Sequence, residues 1–271
     1  MLLAFVAVAH GVGGLTQVNQ MLQQEQPQLF SGAGLNNFFT PRIWFSYLLL
    51  WPLCLPMFPQ MLMRFFAAED DRSLKQSMVL YPIVAGVLFV CPVLIGVWGH
   101  VAFPDLIGRA ADQIMPLMLG RFAPAWLTGL VMVGALAAFM STLDSQLLAL
   151  SSMFTRDVYR RYLRPEASLG EQVRVGQMAV VALAVAGLCI ALRPPDAILT
   201  LATHAFSGLA ILFPVMVGAV YGLRCSAPAA VLSVLCGGWV LLGFALQWLP
   251  ALFAAGFLPL VPALTVSLMI L

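Results

Sequence analysis

Charge is the scarcest commodity in this sequence. Asp, Glu, Lys and Arg make up 9% of its 271 residues and apolar side chains 62%, whereas soluble domains carry about 25% charge. So little charge cannot clothe a water-facing surface. A soluble globular domain is excluded, and an all-α polytopic membrane protein is expected. No run of like charge suggests nucleic acid as a partner, or a lipid headgroup site. Cys54, Cys91, Cys189, Cys225 and Cys236 are odd in number, scattered, and form no C-x-x-C. Neither a disulfide framework nor a zinc site is indicated, and they read as small buried hydrophobes. His10 and His100 have no partner at ligand spacing. A phosphate-binding glycine loop and a Ser/His/Asp set are absent too. An intramembrane aspartyl protease needs a second Asp within the spans, and only Asp144 lies inside one. An enzyme is not expected.

Apolar runs place the spans at 1–15 (partial), 43–63, 77–99, 124–154, 174–192, 197–222, 227–248 and 254–271 (partial). The first run has no cationic segment ahead of it, unlike a signal peptide. At ~1.5 Å per residue it reaches roughly 22 Å, short of the ~30 Å hydrocarbon core. The last run stops in mid-course at Leu271. Both ends look cut, and a piece of a longer protein is expected. Cations set the orientation. If 1–15 exits outward and the spans alternate, Arg64, Arg72, Lys75, Arg156, Arg160, Arg161, Arg164, Arg174 and Arg224 fall inside. Only Arg42, Arg109, Arg121 and Arg193 then fall outside. The stretch after Phe154 is therefore expected to face the cytoplasm, with the loop 16–42 on the opposite side.

The chain is organised around 137–148. Ala138, Ser141, Thr142 and Ser145 recur at i, i+3, i+4 and i+7, which lines them along one face of a helix. That face is small and hydroxylated, and Asp144 lies beside it. An ionisable residue deep in a span is costly and marks an ion or substrate path. The bland alternative is that these hydroxyls bond back to carbonyls four residues earlier, or pack small against small on a neighbour.

The text Ala137-Ala138-x-Met140-Ser141-Thr142-x-Asp144-Ser145-Gln146-Leu147-Leu148, followed by Ser151-Ser152 and Thr155-Arg156-Asp157-x-Tyr159, resembles the sodium/solute symporter family in its bacterial proline/pantothenate branch. The resemblance covers nearly the whole chain. It implies Na+-coupled transport of a small organic solute, of amino-acid or carboxylate class, across a bacterial inner membrane. It also implies the leucine-transporter-type fold of two inverted five-helix repeats. Residues 43–222 would be the complete second repeat. Residues 1–15 would be the end of the first repeat's last helix, the rest of that N-terminal repeat being absent, and 227–271 would be accessory helices. Na+ is then the co-transported ion. Ala138 would offer it a backbone carbonyl, and Ser141 and Thr142 their hydroxyls. Asp144 with Ser145 would form a second cation site, hold a proton or pair with a cation elsewhere, or serve structure through hydrogen bonds.

Three prolines, Pro52, Pro56 and Pro59, interrupt the span 43–63. Each removes a backbone donor and crowds the preceding turn, so a broken helix is expected. The resemblance puts solute contacts on this element. Aligning Arg64 on the Arg of the proline carriers sets Trp51 and Pro59 on matching positions, but Leu55 stands where they have Tyr. The bland reading makes Trp44 and Trp51 interface or packing aromatics. Ser207, near His204 and Gly208, lies on a helix that lines the solute path in relatives. The span-end cations, including Arg64 and the Asp157/Arg161 pair at i, i+4, read as interface anchors. Two other classes remain: a symporter-like membrane-sensor domain of a histidine kinase, and a remnant that does not transport.

Overall fold

A computed structural model describes residues 1–34, 37–222 and 226–271, and it is helical throughout. Arg224 and Cys225, counted above, lie outside the described residues. In chain order the helices are α1 (Leu2–Gly11), α2 (Leu15–Glu25), α3 (Pro41–Cys54), α4 (Pro59–Phe66), α5 (Asp71–Ala102) and α6 (Ile114–Phe122). They continue with α7 (Ala125–Met153), α8 (Leu169–Leu192), α9 (Ile198–Ala210), α10 (Leu212–Val220), α11 (Ala227–Ala245) and α12 (Leu260–Ile270). Five stretches are long and apolar enough to cross a membrane, or up to seven if α1–α2 and α3–α4 each count as one broken span. The chain is a multi-pass membrane protein.

The helices start where local chemistry allows. Thr40 accepts from the Ile43 amide and Pro41 opens α3. Asp70 caps α5 through the Ser73 amide at 2.8 Å, and its bonds to Ser73 hold its carboxyl below the usual range. Ser168 and Ser226 cap α8 and α11 in the same way. Left-handed Gly13 and Gly14 end α1 before α2 begins.

Three elements depart from the expected outline. The stretch 16–42 contains α2, and the connection before Pro124 contains α6. The helix of α7 does not end at Phe154 but runs on as a π-helical segment, Phe154–Leu163, closed by the Arg164 amide on the Tyr159 carbonyl at 2.8 Å. Charge had marked this segment as a connection. Among the described residues Asp157 and Arg161 form no ion pair.

Two compact units can be separated. One is built from 1–15 and 63–197, the other from 16–62 and 198–271. In the first, Ala4 and Val8 of α1 pack with Ile95 and Trp98 of α5 and Met118 of α6, all fully buried. Phe5 stacks on Trp98 at 5.3 Å. Arg121 ties the end of this bundle together. It donates to the Ala102 carbonyl at 2.8 Å and lies over the Phe103 and Phe122 rings. At the other end, Ala149, Ser151 and Thr155 are buried against α8, where Tyr159 donates to Glu171 at 2.6 Å.

The second unit has its core between α3, α9 and α12, from Leu50, Cys54, Ala210, Leu260 and Leu264. Buried Ser46 donates to the Arg42 carbonyl and accepts from the Leu258 amide. Helices α11 and α12 approach closely through small residues. Ser233 and Ser267 hydroxyls meet at 2.8 Å. A Cβ on Gly237 would lie 2.9 Å from Ile211 Cγ2 and 3.2 Å from the Ala263 carbonyl oxygen. Next to it, Gly238 faces open space. Gly237→Ala is therefore expected to destabilise the protein by about 1–3 kcal/mol through overpacking, and Gly238→Ala to leave it unchanged, measured by thermal unfolding in detergent micelles.

Candidate functional site

Helix α7 carries the first set of chemical groups. Ala138, Ser141, Thr142 and Ser145 share a face, as their spacing requires. Thr142 donates its hydroxyl to the Ala138 carbonyl at 3.0 Å, and Ser145 donates to the Ser141 carbonyl at 2.9 Å. The back-bonded arrangement raised as the bland alternative is thus the one observed. It fixes hydroxyl direction: a hydroxyl that donates backward keeps its lone pairs as acceptors facing away from the helix. Ala138 and Thr142 are each other's partners, which brings their two oxygens together on one side of the helix. The Ser141 hydroxyl makes no hydrogen bond among the described residues. Positions 136–144 of α7 are exposed on every side, Asp144 with them. The hydroxyl face is thus exposed from Ala138 to Thr142 and half-buried at Ser145, and Asp144 has no ion-pair partner among the described residues.

The second set lies in the other unit, on α3, α4 and α9. Pro52 sits inside α3, a 3-10 turn follows at Leu55–Met57, and the direction changes by 63° before α4. The prolines account for this. Without N–H groups, Pro52 and Pro56 leave the carbonyls of Leu48 and Pro52 without their helical donors. Trp51 packs on Phe206 of α9 at 5.4 Å, and Phe58, at the break, meets the same ring at 5.5 Å. Trp51 is 44% exposed, so one side of its ring is open. Ser207 is 2% exposed and donates to the Thr203 carbonyl at 2.7 Å. It faces the core, and would have to turn out of it to reach a solute. Trp44 donates its indole N–H to the Gly32 carbonyl, which anchors it to the preceding loop.

A family model for the sodium:solute symporter family matches residues 1–237. The chain belongs to that family. It is 29% identical over 97% of its length to the sodium/pantothenate symporter of Escherichia coli (strain K12), covering 54% of that protein. It is 29% identical over 90% of its length to the osmoregulated proline transporter OpuE of Bacillus subtilis (strain 168), covering 50% of it. The sodium/proline symporter of E. coli (strain K12) is 28% identical over 66% of the chain and 37% of the relative. The chain spans about half the length of the curated relatives it matches. No solved structure matches it significantly.

Two groups of this symporter-family chain escaped the sequence reading. Phe206 joins Trp51 to the break, yet an aromatic in an apolar run carries no signal of its own. Gln60 was legible as an amide beside Pro59 in an apolar span. Its Oε1 is buried without a hydrogen-bond partner among the described residues, and such a group costs about 1–3 kcal/mol. The Trp51–Phe206 contact is expected to be a true coupling. A double-mutant cycle of Trp51→Ala and Phe206→Ala, read by unfolding in micelles, should return about 0.5–1.5 kcal/mol. Additive losses would mean that the rings merely coexist.

Proposed function

We propose that this chain forms part of a Na+-coupled symporter for a small organic solute of amino-acid or carboxylate class. The observation that carries the reading is the hydroxyl face of α7 in a chain of this family. A bare alkali ion must trade its water shell for oxygen ligands. The Ala138 carbonyl with the Ser141 and Thr142 hydroxyls offers them from one side, and ligands on the other sides come from outside that face. Asp144 and Ser145 stand where a second cation or a proton would be held.

The solute is received at the broken span. Trp51 offers an open ring face, Pro59 a bend with freed carbonyls, and Gln60 an acceptor. In the complete protein, 43–222 would be one five-helix repeat packed against its inverted counterpart, with the segment after Phe154 toward the cytoplasm of a bacterial inner membrane. Coupling follows from linkage: Na+ favours one conformation, the solute binds that conformation better, and the effect is reciprocal. The membrane potential adds ~2.3 kcal/mol per charge per 100 mV.

The test is uptake of labelled proline and labelled pantothenate into vesicles bearing the complete protein, with Na+ or K+ outside. Ser141→Ala with Thr142→Ala is expected to raise the Na+ concentration for half-maximal uptake at least tenfold, equivalent to about 1.4 kcal/mol. An unchanged Na+ dependence would remove α7 from the ion's coordination.

A further inference from the structure

The first unit contains a cleft that transport by α7 does not use. It has a volume of about 450 Å³ and lies between the end of α7, the π-helical segment and α8. Its position relative to a bilayer follows from length. The 29 residues of α7 rise roughly 43 Å at ~1.5 Å each, more than the ~30 Å of hydrocarbon. The π segment therefore emerges at the level of the headgroups. Arg156 and Arg160, four apart, share one wall of the cleft. Ser151 and Ser152 of α7 and Gln172 and Gln177 of α8 also line it, and Leu148, Val173 and Val180 give it apolar surface. At the floor, Thr155 is 6% exposed and its hydroxyl has no hydrogen-bond partner among the described residues. It lies opposite Gly176, where α8 has no side chain to occupy the space. The acids of the segment do not neutralise the wall. Glu171 accepts from Tyr159, and neither it, Asp157 nor Glu166 lines the cleft.

We propose that this cleft binds an anionic phospholipid, its phosphate held by Arg156 and Arg160 and an acyl chain lying along Leu148, Val173 and Val180. Two guanidiniums give a phosphate forked, charge-assisted hydrogen bonds. Basic recesses between membrane helices at the interface are the setting in which lipid phosphates are held. The apolar surface of Leu148, Val173 and Val180 distinguishes a lipid from free phosphate. No charge run announces such a site in the sequence; the packing of the π segment on α8 sets both arginines at one cleft.

The experiment uses the purified chain in detergent micelles supplemented with equal amounts of phosphatidylcholine and phosphatidylglycerol, with retained lipid counted by native mass spectrometry. Phosphatidylglycerol is expected to be retained over phosphatidylcholine. Arg156→Gln with Arg160→Gln should lower that retention tenfold or more, while Arg161→Gln with Arg164→Gln, outside the cleft, leaves it unchanged. Helical circular dichroism confirms that each variant is folded. Gln177→Leu, which keeps both charges, should weaken retention less than the arginine pair. Glycerophosphoglycerol and inorganic phosphate should fail to displace the lipid. Equal losses in both arginine pairs would overturn the proposal in favour of diffuse charge. Displacement by either chain-free phosphate would overturn it in favour of a soluble anion, and full retention in the double variant would overturn it outright.

Discussion

Within a membrane a backbone has no water to answer its amides and carbonyls, so every polar group must find its partner in the protein. That constraint explains the commonest behaviour of the helical hydroxyls. Ser46, Ser77, Thr142, Ser145, Thr203 and Ser207 each donate to the carbonyl four residues earlier. The same bond serves different ends. Ser46 and Ser207 use it in the core, where it silences a polar group. On α7 it occurs at Thr142, which is exposed, and at Ser145, which is half-buried, and there it leaves acceptor lone pairs pointing outward. Where proline removes a donor instead, the constraint is broken locally, and the bend between α3 and α4 is the result.

Much of this was legible in the sequence because the signals were periodic or covalent in origin. The spans 77–99, 124–154 and 174–192 correspond to α5, α7 and α8, since apolar length alone marks a crossing. The break in 43–63 followed from Pro52, Pro56 and Pro59, whose missing N–H groups are a property of the residue. Family membership followed from one ungapped stretch and is matched by the family model over residues 1–237.

What stayed hidden depends on partners distant in sequence or on helix geometry. Helix α2 is polar and short, so its text resembled a loop. The π segment was charged, which concealed its continuity with α7. Ser207 is a hydroxyl on the expected helix, but only the packing of α9 on α3 reveals that it faces the core. Phe206 matters through Trp51, more than a hundred residues away in the chain, and no local pattern announces that pair.

The account turns on the hydroxyl face of α7 as an ion's replacement water shell. The most direct measurement is Na+ protection of that face in the complete protein. With Ala138→Cys, whose carbonyl is retained, alkylation by N-ethylmaleimide is expected to slow in Na+ relative to K+. With Met140→Cys, on the other side of the helix, the two rates should be equal. Equal rates at both positions would contradict a sodium ion on this face.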